Sequence, residues 1–305
     1  MFKNTVLVTG APRSGTTPVG QLLSMLPKSA LLYEPMGLTG DKAINLRFPI
    51  PGEPDFSLSD LSTFVNRMRN LDMSFKSQRR PGHKGFSGMA ARLIGSRSLL
   101  SYYNAKLSIH KRDTLIWKDP HGVFCAAAGA DVGFRSIVSV RSPYAHAASF
   151  KRLGWVSPVS DIYARYGLAF GEISKFDDWC VRVGKTPYGS AALLWHLTHK
   201  PLVPLSREVN PSIYILNMER VAEDELVAYR ALFDWLGEEM PRQVESKIIF
   251  RNRSKGDNVP NSTKVHNFNR TAAQANSYWK TVLSKDEIQL VEEINGSLWN
   301  DICAT

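Results

Sequence analysis

The chain predicts an α/β fold: a parallel β-sheet with helices on both faces, in a single domain over residues 1–305 that carries helical and loop insertions. Three observations lead there. Short apolar, β-rich runs at Thr5–Thr9, Ala30–Tyr33, Thr114–Trp117, Ser136–Val140 and Ser212–Leu216 alternate with stretches of helical periodicity. Strands separated by helices pair in parallel and are covered by those helices. The segments that carry chemistry, Arg13–Thr17, Lys118–His121 and Arg141–Ser149, each follow directly on such a run, where ligands of parallel sheets gather. The 305 residues, 43% hydrophobic and 22% charged, describe a globular chain able to bury a substantial core.

The first run feeds a short loop and then a helix, Val6–Leu23, around which the rest is organised. A strand entering a helix through such a loop makes an anion site, because backbone N–H groups converge there and the helix dipole adds positive charge. Helix-spaced Val19, Leu22, Leu23 and Leu26 follow, ended by Pro27. Ala30–Tyr33 delivers Glu34-Pro35-Met36 into a Gly/Pro/Asp-rich loop over Gly37–Ser57. Leu58–Met68 reads as a helix, Lys76–Lys84 as a basic loop, and Gly88–Leu107 as a second helical stretch. The run ending at Val140 opens onto Arg141-Ser142-Pro143 and a helix over Tyr144–Arg152. Ile162–Pro201 is helical in pattern, Glu225–Gly237 is an amphipathic helix closed by glycine, and Phe250–Asn276 reads as a long polar loop. Ser284 and Glu287 form a capping box that starts a last helix, Ser284–Ile302.

Lys+Arg 38 against Asp+Glu 28 leaves a formal charge of +10, which favours anionic partners. Basic residues are spread rather than interleaved with aromatics, apart from Lys76–Lys84 and Phe250–Lys255, so a nucleic-acid-binding module is the weaker reading. Three widely spaced cysteines without CxxC give no disulfide or zinc framework and fit a reducing, cytoplasmic compartment. No apolar stretch is long enough for a signal peptide or membrane span.

The spacing Gly10-x4-Gly15-Thr16-Thr17 is P-loop-like, yet Thr16 stands where a nucleoside triphosphatase has its lysine, and Arg13 sits within the loop. A phosphate-like group fits this loop, whereas a Mg-nucleoside triphosphate handled as in a kinase does not. Pro12-Arg13-Ser14-Gly15-Thr16-Thr17 resembles the 5′-phosphosulfate loop of sulfotransferases that use 3′-phosphoadenosine-5′-phosphosulfate. Arg141 and Ser149, eight positions apart across a strand end and a helix, resemble that family's 3′-phosphate element, with Ser142 in place of the usual Asp. Tyr278-Trp279-Lys280 and the helix after it resemble the family's C-terminal segment, although Ala272, Ala273 and Gln274 stand where one branch has basic residues. Arg270, Arg253 and Lys255 are the nearest replacements.

The resemblance implies a nucleotide sulfate donor bound by Arg13, Ser14, Gly15, Thr16, Thr17, Arg141 and Ser149, with no metal required. In-line transfer builds charge on the departing phosphate, which Arg13 and the loop are placed to stabilise, and the acceptor hydroxyl needs a base opposite. Glu34, in a Glu-Pro element like that of carbohydrate sulfotransferases, is the favoured base, and His121 is the alternative. Lys118 either neutralises the transferring group or pairs on the surface with Asp119. The implied acceptor is a carbohydrate or glycoconjugate, with its pocket built from the insertions 37–108 and 156–211. The rival readings are a P-loop kinase and a non-catalytic anion-binding module.

Overall fold

The computed structural model describes residues 1–76, 96–206, 211–253 and 271–304. Among them, β1 (Asn4–Thr9), β2 (Ser29–Tyr33), β3 (Thr114–Lys118), β4 (Arg135–Val140) and β5 (Ile213–Asn217) form one sheet in the order β2-β3-β1-β4-β5. All pairings are parallel. Val8 of β1 lies opposite Lys118 of β3 and Ile137 of β4, while Tyr33 of β2 also aligns with Lys118. Each run read from the sequence is a strand, to within a residue or so at its ends. The order of the strands reverses about β1, and the crevice at such a switch point is where ligands of this architecture bind.

Two short helical turns, Gly129–Val132 and Leu202–Ser206, aside, the helices in chain order are α1 (Thr16–Leu23), α2 (Leu58–Asn70), α3 (Arg97–Leu107), α4 (Pro143–Leu153), α5 (Val159–Phe170), α6 (Phe176–Val183) and α7 (Pro187–His199). After β5 come α8 (Met218–Glu223), α9 (Glu225–Leu236), α10 (Arg242–Arg253), α11 (Ala272–Ser277) and α12 (Lys285–Cys303). Alternation along β1 divides them between the two faces. Val6 and Val8 pack with Val19 and Leu22 of α1 and with Leu232 and Phe233 of α9. Leu7 points the other way, into a cluster with Phe64, Val65 and Met68 of α2. On that second face Val138 and Val140 meet Trp195 of α7 and Leu298 of α12. Both faces are therefore covered, as a buried parallel sheet requires.

Local chemistry sets the helix boundaries. Ser57 and Asp60 cap α2 reciprocally, Ser284 and Glu287 do the same for α12, and Pro143 and Pro187 occupy first-turn positions whose N–H needs no partner. Three sequence expectations change. The helical pattern Ile162–Pro201 divides into α5, α6 and α7, interrupted at Gly171 and at Gly184–Thr186. The loop expected over Phe250–Asn276 is helical at both ends. Phe250–Arg253 closes α10, which is anchored by buried Val244 and Ile248 one turn apart, and the Thr271/Gln274 capping box starts α11. Helix α1 stops at Leu23, short of Leu26. Most of the basic loop Lys76–Lys84, and the residues of the Gly88–Leu107 helix that precede Ser96, lie outside the described residues. No described helix is long and apolar enough to cross a membrane.

Candidate functional site

The carboxyl ends of all five strands open onto one cavity of about 1170 Å³. Pro12–Thr17 follow β1, Glu34 follows β2, Lys118 and His121 stand at the end of β3, Arg141 follows β4 and Met218 follows β5; all line that cavity. Every site residue read from the sequence is thus gathered in one place.

The loop after β1 is shaped by close approach. Gly10 has φ +137°, and a Cβ there would lie 2.2 Å from the Ser139 carbonyl oxygen and 2.7 Å from Ser14 Oγ. Only glycine fits. Arg13 at φ 76° and Gly15 at φ 101° turn the chain into α1, a strained backbone of the kind concentrated at functional sites. The loop's carbonyls are drawn into the protein: Ser14 N–H donates to Ala11 O at 3.0 Å, Ser139 Oγ to Ser14 O at 2.6 Å, and Arg141 to Arg13 O at 3.1 Å. No side chain caps the N-terminus of α1, whose first N–H groups lack intrahelical acceptors. Ser14 Oγ is buried and without a hydrogen-bond partner. An anion seated on the loop would satisfy both.

Arg13 joins this cradle to the second one. Its Nε donates to Ser149 Oγ at 3.0 Å, on α4. Arg141 is buried beneath, donating through Nε to Asn276 Oδ1 at 3.1 Å and through a terminal nitrogen to Ala275 O. Burial, with Arg141 next in weight and Arg152 also contributing, brings Arg13 down to about 10, and burial lowers Arg141 as well. Cations crowded in this way are relieved by a bound anion. The scaffold behind them holds neutral imidazoles. His146 of α4 is pushed down to about 3, chiefly by burial. His199 is pushed to about 4 by the same cause and stacks on Trp195, whose Nε1 donates to Arg141 O at 2.8 Å.

Opposite lies a wall assembled from β2 and β3. Glu34, itself at φ 47°, pairs through Oε1 with Lys118 Nζ at 2.5 Å. Lys118 is buried and its ammonium sits 4.2 Å from the Tyr33 ring centroid. The surface pairing of Lys118 with Asp119 is therefore corrected: Lys118 points to Glu34. Asp119 is fully buried and does other work, accepting from Met36 N–H at 2.6 Å and His121 N–H at 2.9 Å, with His121 Nδ1 3.3 Å from Oδ1. A carboxylate facing Nδ1 fixes the proton there and leaves Nε2 as the basic atom. Among the described residues no cluster of His, Cys, Asp and Glu is arranged to hold a metal ion.

Solved structures resembling the chain are sulfotransferases. The sulfotransferase domain of the Synechococcus PCC 7002 olefin synthase is 17% identical, with a TM-score of 0.45 over 96% of this chain and 94% of that one. The sulfotransferase domain of the curacin biosynthetic pathway is 14% identical, with a TM-score of 0.46 over 96% and 97%. Mouse sulfotransferase SULT7A1 complexed with PAP is 11% identical, with a TM-score of 0.45 over 98% and 85%. No family model and no curated protein matches the chain. Likeness this distant leaves the site to be read from its own side chains.

Several of those side chains carried no sequence signal of their own. Arg152 lines the cavity one helical turn beyond Ser149, a position that the i, i+3 rule would have flagged. Lys247, Phe250 and Arg251 of α10 line it too, with Arg251 paired to Glu225. Arg253, Lys255 and Arg270, the nearest replacements read from the sequence for a further phosphate contact, have side chains outside the described residues. Trp279 stacks on Tyr144 at 4.8 Å between centroids and packs against the core. Among the described residues of the insertion 156–211, Val156, Ser157 and Pro158 reach the cavity, and its helices α5, α6 and α7 pack into the core beside α4.

Proposed function

We propose that this chain is a sulfotransferase, transferring the sulfuryl group of 3′-phosphoadenosine-5′-phosphosulfate to a hydroxyl of a carbohydrate or glycoconjugate. The observation that carries this is the pair of anion cradles facing one cavity and joined through Arg13, which donates to Ser149 and is itself held by Arg141. A donor with separate 5′ and 3′ phosphates needs two such cradles, and a single-phosphate ligand does not.

The donor, when bound, supplies the activated sulfuryl group. Arg13, Ser14 Oγ and the N–H groups opening α1 hold the 5′ side and stabilise charge as it grows there. Arg141 and Ser149 hold the 3′-phosphate through forked and hydroxyl donors. Lys118 pairs with Glu34 and offers its own charge to the site. Glu34 accepts the proton of the acceptor hydroxyl. A second reading gives that proton to His121, favoured by Asp119 at its Nδ1. The sugar assignment draws support from Trp155, 40% exposed on the cavity wall with the Arg13 guanidinium 6.0 Å from its ring. An exposed indole offers an apolar face to a sugar ring.

Calorimetric titration with 3′-phosphoadenosine-5′-phosphate, run beside Mg-ATP, tests the reading. The bisphosphate is expected to bind the wild type and to lose at least about tenfold in affinity in Ser149→Ala, with a larger loss in Arg141→Ala. Mg-ATP is expected not to bind. Binding of Mg-ATP alone, or of neither nucleotide, ends the sulfotransferase reading.

A further inference from the structure

The cavity holds more positive charge than its donor accounts for. Eight basic side chains line it against two carboxylates, Glu34 and Glu225. Both carboxylates are already paired, with Lys118 and Arg251 respectively. A donor with one phosphomonoester and one phosphosulfate brings about four negative charges near neutral pH, fewer than the surplus of six. The excess has a location. Arg13, Arg141 and Arg152 sit around the loop and α4, and Lys247 lies on α10. Arg47 and Arg97 stand on the opposite wall, and neither meets a carboxylate among the described residues.

Their neighbours place these two arginines beside the candidate bases. The Arg97 guanidinium lies 5.9 Å from the centroid of Tyr33, the ring that also faces Lys118, and Ser98 next to it donates to Glu34 O at 3.4 Å. Arg47 precedes Phe48, whose ring is 5.1 Å from that of His121. Arg47 and Arg97 therefore bracket the end of the cavity where the acceptor hydroxyl must lie. Residues 77–95, which run into Arg97 along the chain, contain no Asp or Glu at all. Unpaired guanidinium groups facing a cavity favour a carboxylate, phosphate or sulfate ester, which accepts their forked donors.

We infer that the acceptor is itself an anion: a hydroxyl compound, such as a uronic acid or a sugar phosphate, whose acidic group is held by Arg47 and Arg97 while its hydroxyl faces Glu34. Which end of the cavity takes the acceptor follows from the sulfuryl-transfer reading, and the inference rests on that reading to this extent. Neutral and anionic partners of one sugar separate the two ideas. The protein is first saturated with 3′-phosphoadenosine-5′-phosphate, so that free anions cannot occupy the donor cradles; failure at this step counts against the function, not the acceptor.

The loaded protein is then titrated with glucose, glucuronate, glucose 6-phosphate and inorganic phosphate. Glucuronate or glucose 6-phosphate is expected to bind at least about tenfold more tightly than glucose, and the stronger of the two identifies the acidic group. Arg47→Gln and Arg97→Gln, both at exposed positions, should each remove most of that advantage and leave nucleotide affinity unchanged. Equal binding of neutral and charged sugars, anion binding untouched by both substitutions, or no anion binding to the loaded protein at millimolar concentrations overturns the inference.

Discussion

The two walls of the cavity are built in opposite ways. The wall proposed for the donor comes from contiguous stretches, the loop after β1 and the β4–α4 junction, and it is buried and cross-tied. Arg141 alone bonds to Arg13 O, Asn276 and Ala275. The facing wall draws single residues from distant segments, Glu34, Arg47, Arg97, Lys118 and His121. Its arginines are exposed and its central contact is one ion pair. On the proposed reading, the wall that serves the nucleotide is held by the fold itself, whereas the wall that would suit a particular acceptor is carried on side chains that can change without disturbing the sheet. Substitutions on the first wall should therefore cost stability and nucleotide binding together, and those on the second should cost acceptor binding or turnover while sparing nucleotide binding.

The largest break in that contrast is expected at Gly10. Gly10→Ala places a methyl group against the Ser139 carbonyl and a φ that alanine resists. The expected destabilisation is about 3 kcal/mol or more, read as a lowered midpoint in urea unfolding, with loss of nucleotide binding. Near-native stability in this variant would show that the donor wall is more pliant than its packing implies.

Glu34→Gln sharpens the same contrast from the other side. Turnover should fall by about a hundredfold or more with 3′-phosphoadenosine-5′-phosphate affinity little changed, while the unfolding midpoint drops because the buried Lys118 ammonium loses its counter-ion. If His121→Gln is the damaging change and Glu34→Gln is mild, the base is the imidazole.

The smallest effect at neutral pH, growing only on acidification, concerns the buried histidines. His146, His196 and His199 lie low, at about 3, 4 and 4, chiefly through burial, against an ordinary value near 6.5. Between those limits the unfolded chain binds protons that the folded one refuses, so stability is complete above about pH 6.5 and falls as pH drops towards 4. The slope approaches about 1.4 kcal/mol per pH unit for each histidine. Melting temperatures measured from pH 7 to 4 should fall accordingly, and His146→Gln should flatten part of the slope. A melting temperature level across that range would mean that these imidazoles are protonated in the folded chain.

How far the sequence could be read follows the same division. All five strands were legible, because β-rich apolar runs set between turn residues have few alternatives. Arg13–Thr17, Arg141 and Ser149 were legible because each element is contiguous and its spacing has a physical reason. Helix α10 was not, since Val244 and Ile248 are its only buried apolar pair among charged neighbours, too weak a period to register. Arg47 and Arg97 were invisible for another reason. Nothing near them in the chain marks them, and their relation to Glu34 and His121 exists only once β2 and β3 lie side by side.

Asp119 gives the facing wall a shared footing. One buried carboxylate receives the backbone of Met36, just beyond Glu34, and the backbone of His121, while Thr9 Oγ1 grips its carbonyl at 2.7 Å. The two candidate bases thus stand on a single post fixed to the central strand. Shifts in that post move both at once, so evolutionary drift in the wall proposed for the acceptor would carry Glu34 and His121 together as one cassette, leaving the facing wall in its original register.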